Sequence, residues 1–193
     1  MLSPKSHIRK SVLINRKKLS NELVELRSKE VCDRAASFIE EAGFPQIHIF
    51  LPIVKNKEVN TWPLIKSLTL RQKEVVVSAT DFEAEKMTHF LYSQTLKFED
   101  DAFGIPTPVC KEAITLDRVD AVLIPLLAAD KKGNRVGYGK GYYDRLLLEM
   151  PQNVKKIGLS LGPSFDLFSF VEPQDVPLDY LITPIELINC THA

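Results

Sequence analysis

Apolar positions fall along this chain in two rhythms, one suited to helices and one to buried strands, and their alternation predicts the architecture. From Pro4 to about Lys17, PKSHIRKSVLINRK sets Ile8, Val12 and Leu13 on one side of a charged segment, and Pro4 suits a first helical turn. A short amphipathic helix is predicted there. A second helix runs from Ser20, a capping residue, to about Ala42, because Leu23, Leu26, Val31, Ala35 and Phe38 keep roughly helical spacing until Gly43 stops it. The texture then changes to the β-rich run IHIFLPIV, a lysine-rich loop, and TWPLIKSLTLRQ, a helix that Thr61 can cap with proline in its first turn. Strands are read in EVVVSAT and HFLYSQ, followed by the turn-rich AFGIPTP. Three more strands lie in VDAVLIPLL, KKIGLSL and DYLIT, with a helix from about Gly141 to Met150 between the first two. Apolar strands separated by helices imply a mostly parallel sheet covered on both faces, an α/β three-layer α/β/α sandwich. No repeat or linker-like boundary interrupts residues 1–193, so a single domain is expected.

Charge and cysteine usage narrow the function classes. Twenty-five basic residues balance 25 acidic ones, so no overall field draws nucleic acid or anionic lipid. Cys32, Cys110 and Cys190 lack metal-type spacing, and MLSPKSHIRK has no apolar stretch resembling a signal sequence; a reducing cytoplasm is expected. No run approaches the ~20 apolar residues that a membrane span needs. The four histidines attract no functional role, and His48 is read as a packed or edge residue of its strand.

The chemistry concentrates in VLIPLLAADKKGNRVGYGKGYYDRLL, where a buried strand ends at Pro125, a polar turn follows, and three alternate glycines lead into an amphipathic helix. Gly137, Gly139 and Gly141 remove side chains where a loop must bring several backbone N–H groups close to a ligand, and the next helix adds a positive N-terminal end. Phosphate is the natural ligand for such a cradle. Arg135 offers a fork for two phosphate oxygens and Lys140 a mobile point charge, the two residues expected to carry catalytic charge neutralisation. Asp144 would repel bare phosphate but suits a bridging Mg²⁺, which commonly takes one or two carboxylates and completes its shell with phosphate and water. The Walker pattern does not fit, since Lys140 precedes Gly141 and position 134 is asparagine; nor does the dinucleotide fingerprint, since the loop reads Gly-Tyr-Gly-Lys-Gly. Glycines between a strand and a helix also serve as plain tight turns. Three glycines, two cations and a carboxylate within ten residues exceed what a turn requires.

The run DKKGNRVGYGKGYYD closely resembles the signature of the 5-formyltetrahydrofolate cyclo-ligase family, Asp-x-x-Gly-x-Arg-Leu-Gly-x-Gly-x-Gly-Tyr-Tyr-Asp. Supporting pieces follow in the family's order: Lys5 and Arg9, FLP before Glu58-Val-Asn-Thr, FGIPTP, and QDVPLDYLIT. The resemblance implies ATP- and Mg²⁺-dependent closure of 5-formyltetrahydrofolate to 5,10-methenyltetrahydrofolate, with ADP and phosphate released. It implies a fold similar to that of sugar-phosphate isomerases and CoA-transferases, and a monomer whose partners are ATP and a reduced folate. Carried over by position, Lys5, Arg9 and the run Arg135, Val136, Gly137, Tyr138, Gly139, Lys140, Gly141, Tyr142 and Tyr143 match the ATP-binding positions. Leu51, Glu58 and Phe103, with Tyr138 to Tyr142, match the folate-contacting ones. Asp144 and Asp175 correspond to the magnesium carboxylates, and Glu172 and Asp179 are near enough to Asp175 to fill the second role. Ala128-Ala129 replaces a bulkier pair that often precedes the family's aspartate. The loop between Leu51 and Glu58 is about two residues longer than in some relatives.

Two other readings compete. A sugar-phosphate isomerase or acyl-transferase relative would need no ATP. A non-catalytic module would dock a partner through its charged helices and bind no nucleotide.

Overall fold

A computed structural model describes residues 3–102, 104–109, 112–172 and 175–190. Helix α1 (Pro4–Lys17) is followed by α2 (Asn21–Glu41), strand β1 (Gln46–His48), α3 (Trp62–Leu70), β2 (Glu74–Asp81) and β3 (Lys86–Leu91). Then come a small hairpin of β4 (Phe98–Asp100) and β5 (Pro106–Pro108), β6 (Ala121–Pro125), and a second hairpin of β7 (Ala128–Ala129) and β8 (Arg135–Val136). Helix α4 (Tyr142–Glu149) leads to β9 (Lys155–Leu159), β10 (Tyr180–Ile182) and β11 (Leu187–Asn189).

The main sheet has the order β11-β10-β9-β6-β1-β2-β3. Its five inner strands are parallel, while β3 and β11 close the edges antiparallel. The alternation of side chains along each strand divides the core. Ile47, Val75 and Ala121 stand side by side on the face covered by α2 and α3. Their successors His48, Val76 and Val122 share the opposite face, where Leu146 and Met150 of the α4 region pack. The expected mostly parallel α/β sandwich is therefore the observed one.

Local chemistry explains the helices. Ser20 caps α2 by accepting a hydrogen bond from the Leu23 N–H (3.2 Å), and the apolar stripe through Val24, Val31, Ala35 and Ile39 is buried. Each large aliphatic side chain buried this way contributes about 1.5–3 kcal/mol, so Ile39→Ala is a direct way to loosen this layer.

Three boundaries differ from the sequence reading. The first strand stops at His48 rather than running through IHIFLPIV. The Ile49 N–H still reaches Val76 O (2.8 Å), but the chain then leaves the sheet, and Pro52 has no N–H to extend the ladder. Thr61 stands at the start of α3 without capping it by its side chain; its hydroxyl instead donates to the buried Phe50 carbonyl (2.7 Å). A buried carbonyl without a partner costs more than an uncapped turn, and the Trp62 N–H is met by Asn60 Oδ1 (3.3 Å). The strand read at HFLYSQ starts earlier, at Lys86, because its register is set by pairing Lys86 with Asp81 and Leu91 with Val76.

Chain order reverses at β1: the connection to β2 goes to one side and that to β6 to the other. In open parallel sheets such a switch point leaves a crevice at the carboxyl ends of the strands. Phe50 and Leu51 after β1, Pro125 at the end of β6, and Ser78 and Thr80 in β2 line a cleft of about 910 Å³ at that place.

Candidate active site

The β7–β8 hairpin delivers the glycine loop to this cleft, and a buried aspartate shapes it. Asp130 Oδ1 accepts from the N–H groups of Lys132 (3.0 Å) and Asn134 (2.9 Å), while Oδ2 accepts from Asn134 Nδ2 and the Phe168 N–H, both at 2.9 Å. Gly133 turns within this bend at φ +84°, where an added Cβ would lie 2.4 Å from Leu178 O. Strand β8 then presents Arg135, and residues 137–141 pass over the cleft into α4.

Helix α1 lies against this hairpin through Ile8 and Val12, which pack on Ala128, Val136 and Phe168. Its arginine Arg9 donates from Nε to Gly137 O (2.9 Å). The same guanidinium covers Gly139, where φ is +90° and a Cβ would stand 3.0 Å from Arg9 Cζ. Glycine at 139 thus serves both a left-handed turn and the close approach of a cation.

Two ion pairs join residues that the sequence assigned separately to nucleotide and metal. Lys5 Nζ donates to both oxygens of Asp175 at 2.8 Å and lies 3.6 Å from Glu172 Oε2. Arg135 donates from one nitrogen to Asp144 Oδ1 and from another to Val176 O. Lys140 is exposed. Asp144 and Asp175 both line the cleft beside the glycine loop. One or two carboxylates next to a phosphate cradle is a donor set that fits Mg²⁺, although no cluster of three or more His, Cys, Asp or Glu side chains occurs among the described residues.

Next to Tyr138 of the loop the polar groups are buried. Glu58 is only 5% exposed, and its Oε2 accepts from the Ile53 N–H (2.8 Å). Burial pushes its carboxyl above the usual 4.5, opposed by the Ile53 N–H, the Tyr138 hydroxyl and the charge of Arg16. Burial and the neighbouring Glu58 charge push the hydroxyls of Tyr138 and Tyr143 well above the ordinary phenol range. Across β1, β2 and β3 runs a neutral polar array, with His48 Nε2 and His89 Nδ1 each 2.7 Å from the Ser78 hydroxyl. Burial lowers His48 to about 3, with the charge of His89 assisting, and lowers His89 to about 4. His48 is thus a packed residue of a central strand, and its Nδ1 is buried without a hydrogen-bond partner among the described residues.

Of the residues singled out in the sequence, Lys5, Arg9, Leu51, Glu58, Asp144 and Asp175 line one cleft with Arg135 and the loop from Gly137 to Tyr143. Val136 does not: its side chain is buried under α1 and its carbonyl accepts from the Leu127 N–H (2.8 Å). Phe103 lies outside the described residues. Tyr142 sets its ring edge-on to Phe82 (5.8 Å), with the Arg145 guanidinium 4.9 Å from its face. Arg16 escaped the sequence reading. Its signal was position, since Ile8, Val12 and Arg16 follow at i, i+4 and i+8, which places the arginine in the apolar stripe of α1.

Similarity to known proteins agrees with the signature. The sequence model of the 5-formyltetrahydrofolate cyclo-ligase family matches residues 2–184. A 5-formyltetrahydrofolate cyclo-ligase of Haemophilus influenzae is 30% identical over 122 residues, which cover 62% of this chain and 64% of that protein. The solution structure of a 5,10-methenyltetrahydrofolate synthetase from Aquifex aeolicus superposes with a TM-score of 0.82 at 30% identity, covering 97% of this chain and 93% of the other. A synthetase of that name from Mycoplasma pneumoniae shares the fold, with a TM-score of 0.72 at 22% identity over 94% and 99% of the two chains.

Proposed function

The chain belongs to the 5-formyltetrahydrofolate cyclo-ligase family, and we propose from that membership that it uses ATP to close 5-formyltetrahydrofolate to 5,10-methenyltetrahydrofolate, releasing ADP and phosphate. The observation that carries the reading is that one cleft is lined both by a glycine cradle with cations and by a buried carboxylate. Two ligands held end to end in it would meet near the loop.

The chemistry asks for that arrangement. An N-formyl oxygen is a poor leaving group until it is phosphorylated. It attacks the γ-phosphate of ATP, N10 then attacks the activated formyl carbon, and the carbon–oxygen bond breaks as phosphate departs. The N10 proton is lost and the methenyl bridge remains. Positioning and charge neutralisation suffice, with no covalent enzyme intermediate.

Lys5, Arg9, Arg135 and Lys140 would bind and orient the phosphates beside the loop N–H groups, Arg135 and Lys140 neutralising the transferred group. Asp144 with Asp175 would hold Mg²⁺, which when bound supplies further neutralisation of phosphate charge. Glu58 would accept the donors of the pterin edge while Leu51 and Tyr138 border the ring. The enzyme would act as a one-domain monomer on ATP and a reduced folate, without nucleic acid or membrane. The free thiols of Cys32 and Cys190 suit a reducing cytoplasm.

An absorbance assay for the methenyl product tests the reading. Product is expected only when ATP and Mg²⁺ are both supplied; product without ATP, or none with it, overturns the assignment.

A further inference from the structure

We propose that Arg16 is a positioning residue for the folate end of the cleft, acting on Glu58 through the hydroxyl of Tyr138. The inference rests on the functional reading above, in which Glu58 receives the pterin edge.

An arginine near the end of a short amphipathic helix ordinarily keeps its head group in water. Arg16 does not: it is 5% exposed and is the buried residue of α1. Its Nη2 donates to Leu126 O (2.8 Å), just past β6, and to Leu127 O (3.5 Å), while Nη1 donates to the Tyr138 hydroxyl (3.3 Å). The guanidinium therefore ties the exit of a central strand to the middle of the glycine loop.

The direction of the next hydrogen bond follows from counting donors. A tyrosine hydroxyl has one proton and two acceptor sites, and a guanidinium has only donors. Because Tyr138 accepts from Arg16, its own proton is left to turn toward the neighbouring Glu58 carboxylate, whose titration feels both the Tyr138 hydroxyl and the Arg16 charge. Glu58 then has the Ile53 N–H donating to it at 2.8 Å, the Tyr138 hydroxyl beside it and the charge of Arg16 behind. A carboxylate held in this way is an acceptor fixed in place, suited to a ligand edge that offers N–H groups.

Without Arg16 the phenol proton is free to turn to other acceptors, and the buried carboxylate loses its compensating charge. The expected damage falls on the folate side of the cleft, because the other tether of α1 to the loop, from Arg9 to Gly137 O, stays in place. A purely structural arginine would loosen both ends together.

Steady-state kinetics of the full chain separate these cases, comparing Arg16→Met, Tyr138→Phe and the double variant. Each single change is expected to raise KM for 5-formyltetrahydrofolate about tenfold or more, the scale of one charge-assisted hydrogen bond, with KM for ATP within about twofold of the parent. The double variant is expected to be little worse than the poorer single one, because both changes cut the same chain. Equal rises in both KM values, additive effects, or an unchanged folate KM would overturn the role. Should Arg16→Met fail to fold, Arg16→Lys and Tyr138→Phe carry the same test. Calorimetric titration with 5-formyltetrahydrofolate, which needs no turnover, keeps the two claims apart. A parent protein that binds but never converts the folate sinks the functional reading, while unaltered affinity in the Arg16 variants sinks this one.

Discussion

Two regions of the cleft handle charge in different ways. At the glycine loop opposite charges meet directly, Lys5 with Asp175, each side chain 18% exposed, and Arg135 with Asp144, 7% and 40% exposed. Around Glu58 the charges are buried apart, since Glu58 and Arg16 are both 5% exposed and the Tyr138 hydroxyl stands between them. A buried charge destabilises strongly once its compensation is removed, so it can change partners only when a new opposite charge arrives. The loop pairs can trade partners with an arriving phosphate and cation, whereas Glu58 and Arg16 are compensated within the protein and keep one arrangement.

The largest expected effect tests the loop end. Asp144→Asn should lower turnover by about 10²–10³-fold, the scale of one lost transition-state charge contact, with little change in thermal midpoint, because the amide oxygen still accepts from the buried Arg135. Scanning calorimetry beside the absorbance assay checks it, and a large fall in midpoint would mean that Asp144 is structural. Gly139→Ala comes next, because alanine at φ +90° is strained and its Cβ would press on Arg9. A stability loss of about 1–3 kcal/mol is expected, together with a rise in KM for ATP exceeding that for folate. Equal rises would blur the two ends.

The Glu58 region should show the opposite balance. Glu58→Gln is expected to raise folate KM about tenfold while sparing the fold. The sign follows from its raised pKa: below 4.5 the group is protonated in both states, and above it the unfolded chain ionises first, so stability falls as pH rises. Glutamine removes that loss, so the variant should gain on the parent in midpoint as pH rises above 4.5. A variant that instead falls further behind as pH rises would show Glu58 to be stabilised as an anion.

At neutral pH the smallest effect belongs to the histidines of the sheet. His48, held near 3 against an ordinary 6.5, stays neutral in the fold, so its stability contribution is present above pH 6.5 and is lost as pH falls toward 3. A single such site costs about 1.4 kcal/mol per pH unit across that window. His48→Gln should flatten this acid limb in thermal melts, leaving the share due to His89. An unchanged limb would place the acid sensitivity elsewhere.

Much of this was legible along the chain. Ser20, the stripe of α2, the glycine turn and the start of α4 depend on residues a few positions apart, and propensity, capping and periodicity act at that range. The signature residues were legible for the same reason, since a phosphate cradle is built from consecutive backbone. Thr61 shows where local rules end: a capping residue by sequence, it was claimed by a buried carbonyl 11 positions away. Val136 likewise sits within the signature, yet its side chain packs under α1 and its carbonyl joins the hairpin, contacts with residues elsewhere in the chain.

By its own pattern the chain specified the helices, the parallel strands and a loop shaped for phosphate, because those follow from short-range geometry and the need to bury apolar stripes. Only long-range packing assigned the environment of each charge. Arg16 and Tyr138 stand 122 positions apart, and His48 meets Ser78 across 30, so whether these groups are solvated, paired or stranded depends on contacts that no local pattern records. Electrostatic energy changes with burial far more steeply than with residue type, and burial is a property of the folded whole.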